Sequence, residues 1–586
     1  MRQRVLLIVL LLLLLTACGL LPAGETPTAP PAASASVTVA TATAEAATLP
    51  PPAPPTATEL PPTPEPTATA LPTMAPAPLD LSLLAGDVFL YPGPAIYAGD
   101  EVTVQVLAHV PESLSPGEVQ VALLVDGVNL ATTPLNGRNL GGDAVGLFAW
   151  AWDTADLAGI HRVSVVLDPQ DAIIIGDENP DNNRIDLDVE IQPAAALPAG
   201  EVDARWITAE TEYATIHVVS GTAAARDLEQ LKQATDIAVQ QASEKLDQPP
   251  DRKYDIYFID RVLGQGGYAG SSIVVSYLDR DYAGGGLHEV LVHEITHLID
   301  QQITDHRIPF LVEGVAVWVT GGHYKQENLD QRAAALRESG LYVPLPELIN
   351  DFYPNQHEVG YLEGAGFINY LVSSYGWPAT RAFYADVDPN DAQTLAEAVS
   401  LALQRHFGMS LAAFEVEWNA YLDRVPYDRN AAPDLLTTIR YYDLMRHYQL
   451  QYDPTAHFLQ AWLPFPQELE NRAIIADVTR HTDGEMNVIL ETMLHAVNTA
   501  LMTGNYNRAN ALLDSVERIL NNDGQFIDPI AKSYREIVRK LTAVGYRVQS
   551  IELNGTEATV MVRNGVSLNL AQLSLVLRNQ NWVVTN

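Results

Sequence analysis

Cysteine is all but missing from this 586-residue chain: Cys18 is the only one. A lone cysteine excludes a disulfide framework. Basic residues are scarce as well, 34 Lys and Arg against 72 Asp and Glu, giving a formal net charge of −38. This argues against a nucleic-acid partner, which needs clustered positive surface. It suits a soluble, secreted surface and says nothing about fold. The apolar run Val5–Leu15 has only eleven residues, too few to span a bilayer comfortably. At 586 residues the chain is too long for a single core, so several domains are expected.

What is present begins with a targeting segment. Arg2 and Arg4 form a positive region ahead of the apolar run, as in an export signal. Leu15-Thr16-Ala17-Cys18 then resembles the bacterial lipobox, whose cysteine is lipidated and becomes the mature N-terminus. The resemblance implies a lipoprotein signal over residues 1–18, with Cys18 as the lipidation site. The chain is then expected to be exported and anchored to the outer face of the cell membrane. Residues 19–78 are mainly Pro, Thr and Ala. Such a composition forms no core and is expected to make an extended, semi-rigid stalk.

Residues 79–192 read as all-β. Val102–Val106 and Ile185–Ile191 alternate with period two, and Pro116-Gly117 and Asp126-Gly127 punctuate them as turns. The stretch Val165–Pro169 with Asp177-Glu178-Asn179-Pro180-Asp181-Asn182-Asn183 resembles the CARDB modules, which are immunoglobulin-like sandwiches. Its Asp and Asn oxygens are of the type that binds calcium. Both residues favour bends on their own account, and the turn reading is preferred. Pro193–Gly200 follows as a short Pro/Ala hinge.

The chemistry concentrates in His293-Glu294-Ile295-Thr296-His297. Residues four apart share a helix face, so His293 and His297 can reach one metal ion. Glu294 lies roughly 100° round the axis, off the ligand line but near the metal. The flanks Leu287–Val292 and Leu298-Ile299 are apolar enough to bury such a helix. H-E-x-x-H in that setting has the mechanics of a zinc hydrolase. After a polar turn ending in Pro309, Phe310–Trp318 reads as a second apolar helix with Glu313 in its first turn. A carboxylate there is costly to bury unless paired or bound to metal. His293, His297 and Glu313 would leave a fourth tetrahedral position for water. A helix-dipole role for Glu313 is the bland alternative. Asp300 is on the ligand side of the first helix and could orient a histidine, but a solvent-exposed helix-end acid is the preferred reading.

HEITH followed by Pro-Phe-Leu-Val-Glu-Gly-Val-Ala-Val-Trp resembles the gluzincin metallopeptidases, specifically the thermolysin-related, peptidase-MA-like proteins. The likeness runs from Trp206 to Leu422. It takes in a strand and helix (Thr215–Val219, Arg226–Leu246), a strand (Tyr254–Ile259) and a glycine-rich crossing (Gly264–Gly270). Ile273–Tyr277 would be the edge strand beside the cleft. Tyr361 through Tyr375-Gly376, and Phe407-Gly408 with Glu417–Leu422, match the later helices. The family implies one zinc ion and hydrolysis of peptide bonds by zinc-activated water, with Glu294 as general base. It also favours Tyr361 as oxyanion donor, with His357, Tyr324 and His323 left open. Thermolysin-type enzymes carry an Asp four residues after the glutamate ligand, where this chain has Val317. Gly264–Ala269 also superficially fits a dinucleotide fingerprint, but no helix follows it. It is expected to be a flexible loop at the cleft rim.

Beyond the domain at 200–427, residues 431–586 are expected to form a separate, small α+β domain of unknown role. Two helices are expected near Met493–Leu501 and Asn507–Leu520. Strands are expected at Tyr546–Leu553, Thr559–Val562, Leu573–Leu577 and Trp582–Val584. The fold class is therefore multidomain: an all-β immunoglobulin-like sandwich, an α+β gluzincin-type domain and a small α+β domain. The partners expected are a peptide or protein substrate and, through Cys18, the membrane; the oligomeric state is unknown. The competing functional reading is a non-catalytic surface binding or adhesion scaffold built on a peptidase fold. A third is a recognition protein in which HEITH is merely core.

Overall fold

The computed structural model describes residues 79–585, apart from 174–176, 265, 427, 460–464 and 566. The expected signal segment, Cys18 and the Pro/Thr/Ala-rich stretch lie outside the described residues. No described helix is long and apolar enough to cross a membrane.

Period-two alternation in the first part builds two mostly antiparallel sheets. One runs Val88–Tyr91, Glu101–Ala108, Ala144–Asp153, Gly137–Arg138. The other runs Ile96–Tyr97, Arg184–Gln192, Gly159–Leu167, Gln120–Val125, Val128–Pro134. Val102, Val104, Val121, Val163 and Trp152 fill the shared core. Asp126 and Gly127 both take positive φ (49° and 81°), which matches the right-handed twist of the hairpin they close. The Asp/Asn cluster closes on itself: Asp177 accepts from the Leu81 N–H at 3.3 Å and the Asn183 amide at 2.5 Å. Those are turn and strand-end bonds.

Pro193–Gly200 is not a bare hinge. It forms the helical turns Ala194–Ala196 and Ala199–Val202. Arg480 reaches Glu201 at 3.0 Å and Asp100 at 2.5 Å. One guanidinium therefore ties the sandwich, the connector and a distant segment together.

Five strands follow: β1 (Trp206–Glu210), β2 (Ala214–Val219), β3 (Tyr254–Ile259), β4 (Gly267–Ala269) and β5 (Ile273–Ser276). Their order is β1-β2-β3-β5-β4, with β2, β3 and β5 parallel and both outer strands antiparallel. The edge strand is thus Gly267–Ala269, not Ile273–Tyr277 as expected. The glycine-rich stretch is not simply a loop, because Gly267–Ala269 pairs with Val275, Val274 and Ile273. Glycine permits this: a Cβ at Gly267 would stand 2.8 Å from the Val274 carbonyl oxygen. Glycine in a strand often marks just such a close backbone approach.

Helix α1 (Leu228–Leu246) buries Leu231, Ala238, Val239, Ala242 and Leu246 along one stripe. It packs on α2 (Leu287–Asp300), which meets α3 (Pro309–Thr320). Then come α4 (Leu329–Glu338), α5 (His357–Tyr375), α6 (Trp377–Asp386), α7 (Leu395–Phe407) and α8 (Leu411–Leu422). α3 and α5 cross at two glycines. A Cβ on Gly314 would lie 2.7 Å from the Gly364 carbonyl oxygen.

The remainder contains α9 (Ala431–Tyr452), α10 (Glu485–Met502), α11 (Tyr506–Leu520) and α12 (Pro529–Thr542). An antiparallel meander of β6 (Tyr546–Asn554), β7 (Glu557–Asn564), β8 (Leu570–Arg578) and β9 (Asn581–Val584) ends it. It does not stand apart. Asp434 on α9 takes Lys325 at 2.7 Å and Arg332 at 3.0 Å. The Tyr324 hydroxyl donates to Asn498 at 2.5 Å, and Arg280 pairs with the fully buried Glu491.

Candidate metal centre and active-site cleft

Burial of Leu291, Val292, Ile295, Leu298 and Ile299 fixes the axis of α2. The four-residue spacing then brings His293 and His297 together edge to face, with ring centroids 4.7 Å apart. Pro309 starts α3 at the position where its missing N–H costs nothing. Glu313 is therefore in the second turn, not the first, and is beyond the reach of the helix dipole. Its Oε2 lies 3.1 Å from His293 Nε2 and 3.3 Å from His297 Nε2.

These spacings fit a metal. Ligands about 2.0–2.1 Å from a tetrahedral zinc stand roughly 3.3 Å from one another. Two imidazole nitrogens and one carboxylate oxygen are also the catalytic type of donor set, which keeps a position open. All three ligand atoms fall within 4.8 Å of one another. Burial presses His293 down to about 4, aided by His297 and His323. Burial would depress His297 too, but the Glu313 carboxylate reverses that and raises it. Burial would raise Glu313, yet His297 and His293 hold it well below the ordinary carboxylate range. An anionic oxygen between two histidines is the result.

Glu294 is 8% exposed and lies against β4, its Cγ 3.6 Å from where a Gly267 Cβ would be. Burial, with a contribution from Glu313, raises its carboxyl to about 7, while His297 and the Ala269 N–H oppose the rise. A carboxyl poised there can take and return a proton near neutrality.

Tyr361, on the first turns of α5, brings its ring to 6.1 Å from His293 and 4.5 Å from His323. Of the alternatives to Tyr361, His323 is 6.5 Å from His293 by ring centroids, with Nδ1 2.5 Å from Glu358. His357 packs on Tyr361 at 4.4 Å. Tyr324 points elsewhere, to Asn498. Tyr353 carries no motif or spacing signal along the chain. It stands in the loop before α5, and its hydroxyl donates to Glu313 Oε1 at 3.2 Å.

Asp300 is not an exposed helix-end acid. It is fully buried, paired with Arg307, and accepts from the Tyr384 hydroxyl at 2.7 Å. No bond joins it to either histidine. His297 Nδ1 is buried with no hydrogen-bond partner among the described residues, and Val317 is buried where thermolysin-type enzymes carry an acid.

Asp453, His481 and Glu491 make a second set of close donor atoms. Here Arg280 already pairs with Glu491, and the Tyr448 hydroxyl donates to it at 2.7 Å. Arg280 supplies the positive charge that a metal would bring.

No protein-family model and no curated protein matches the chain. Among solved structures, an aminopeptidase N family protein from Idiomarina loihiensis is similar over 58% of this chain and 75% of its own, at 10% identity and a TM-score of 0.25. A CARDB domain from Pyrococcus furiosus, solved in solution, matches 20% of this chain and 96% of its own. Its crystal form in complex with di-metal ions matches 21% and 99%. Both stand at 16% identity and a TM-score of 0.16. Likenesses at these scores carry no functional argument, and the chemistry of the site has to supply it.

Proposed function

We propose that this chain is a zinc-dependent peptidase of the gluzincin kind, lipid-anchored outside a bacterial cell through Cys18 and acting on peptides or proteins. One observation carries the reading: a single Glu313 oxygen stands 3.1 and 3.3 Å from two histidine nitrogens, with Glu294 buried beside them. Zinc held by His293, His297 and Glu313 would supply Lewis acidity towards a scissile carbonyl and lower the pKa of water.

The chain's own groups do the rest. Glu294 takes a proton from the attacking water and returns it to the leaving nitrogen. Tyr361, whose ring packs 6.1 Å from His293, is the donor to the oxygen on which negative charge develops. Tyr353 holds the far oxygen of Glu313 and so aims the near one. The scaffold reading has use for the three ligands but leaves Glu294 without a task.

The test is digestion of a broad peptide library by the zinc-loaded chain, then by chelator-stripped protein, then after zinc is restored. Cleavage that disappears and returns supports the proposal. Cleavage that survives stripping, or that zinc-loaded protein never shows, contradicts it.

A further inference from the structure

α9 passes beside the rings of His323 and His357, with Tyr442 and Arg446 four residues apart on one face. Tyr442 lies 5.6 Å from His357 and 6.0 Å from His323 by ring centroids. One turn on, Arg446 lays its guanidinium 3.7 Å from the centre of Phe458, and Phe458 meets His357 at 5.8 Å. His357 packs on Tyr361, and Tyr361 on His293. A continuous wall of rings thus leads from the metal triad to Arg446.

Nη1 and Nη2 of Arg446 are both buried, and neither has a hydrogen-bond partner among the described residues. The groups facing this cation do not neutralise it. Asp443, one turn earlier on α9, adds attraction at a distance and is bonded to Gln356 at 3.3 Å. Burial, with the charge of Arg446, holds both His357 and His457 in the neutral form. Tyr361 and Tyr442 present phenols. A guanidinium does not lose its proton in a protein, so a cation sits buried and unpaired in a chain of net charge −38. Such a position lowers stability, and an anion binding there would remove the deficit. The planar guanidinium fork, with two adjacent N–H donors, matches a carboxylate.

We propose that Arg446 anchors a carboxylate of the substrate, and that the chain cleaves a few residues from the free C-terminus of peptides. The α-carboxylate would lie on Nη1 and Nη2 while the scissile bond reaches the triad along the ring wall. This rests on the peptidase reading above. The same fork would accept an Asp or Glu side chain, and the experiment separates the two sources.

Binding is measured by calorimetry on the full zinc-loaded chain carrying Glu294→Gln, which keeps the ligands and blocks turnover. Peptides are compared in pairs, as free acid and as C-terminal amide. The acid is expected to bind about 10- to 100-fold more tightly, and adding Arg446→Gln should abolish the difference. Arg446→Lys, which keeps the charge and loses the fork, should retain part of it. If a glutamate side chain rescues binding of the amide, the subsite stands and the carboxylate comes from the side chain. Equal binding of acid and amide overturns the proposal, as does an acid preference that survives Arg446→Gln. Thermal melting supplies a second readout. Relief of a buried unpaired charge should raise the melting temperature of peptide-free Arg446→Gln, whereas a merely structural arginine would lower it. Acid-selective binding without turnover by the native chain would fault the peptidase reading and the cleavage that rests on it, and leave the carboxylate site at Arg446 standing. Turnover without acid selectivity would fault Arg446 alone.

Discussion

Replacing Gly314 by alanine should both destabilise the protein and weaken its hold on zinc. The added methyl would meet the Gly364 carbonyl oxygen at 2.7 Å, its carbon at 2.8 Å and its Cα at 3.2 Å. All three atoms are main chain, so no rotamer change relieves the overlap. Carbon contacts settle at about 3.5–4.0 Å, and α3 and α5 must therefore move apart by roughly 0.5–1 Å. Overpacking of this kind costs about 1–3 kcal/mol. That is a fall in Tm of about 2–4 °C per kcal/mol for a domain of this size. Glu313 is the preceding residue, with its Oε2 3.1 and 3.3 Å from the two histidines. Zinc sites tolerate displacements of only about 0.2 Å. Zinc affinity should fall about 10- to 100-fold, as when a ligand loses its support. Calorimetric melting and zinc titration against a competing chelator read the two effects. Gly364→Ala, whose nearest contact would be 3.0 Å from the Phe310 carbonyl oxygen, should be milder, and Gly200→Ala, with nothing within 4 Å, near neutral. A Gly314→Ala protein with native Tm and native zinc affinity would refute the reasoning.

Asp477 has both carboxylate oxygens buried with no hydrogen-bond partner among the described residues, and burial, with Asp100 adding to it, raises its carboxyl to about 7. With the folded value above the unfolded 3.8, its stability contribution is complete below about pH 4 and is lost as pH rises through 7. Asp477→Asn should remove that loss, gaining on the order of 4 kcal/mol over the native chain above pH 8. Parallel Tm-against-pH curves for the two proteins would contradict this. Tyr353→Phe removes the 3.2 Å bond to Glu313 and should lower zinc affinity about 10-fold with little change in fold; unchanged affinity in a chelator titration would count against that orienting role. Cys18→Ser should move the chain from the membrane fraction to the soluble one, and continued membrane retention would argue against lipid anchoring.

Much of the site was legible because it is local. The spacing of His293 and His297, an apolar helix around them and an acid on the next helix all sit within one short stretch. The sheet was less so. Glycines at Gly266 and Gly267 suggest a loop, and only the Val274 carbonyl close by shows why the strand needs a glycine at 267. Asp300 reads as exposed because it lies near a helix end, while its partners Arg307 and Tyr384 come from later in the chain. The docking of residues 431–586 was hidden for the same reason. It depends on Tyr282 and Tyr324 packing into one apolar cluster with Tyr441, Met445 and Tyr448, and on polar contacts such as Lys325 with Asp434 and Arg280 with Glu491, none of which leaves a periodic trace. Tyr353 and Arg446 matter by where they point, and spacing along the chain does not encode that.

The central claim is that His293, His297 and Glu313 hold zinc for a reaction in which Glu294 moves the proton. Metal content and peptide-library cleavage, measured side by side on the native chain, Glu294→Gln and His293→Ala, test it most directly. The account predicts about one zinc per chain in the first two and little in the third, with cleavage by the native chain alone. Equal zinc in native and His293→Ala protein, or undiminished cleavage by Glu294→Gln, would contradict it.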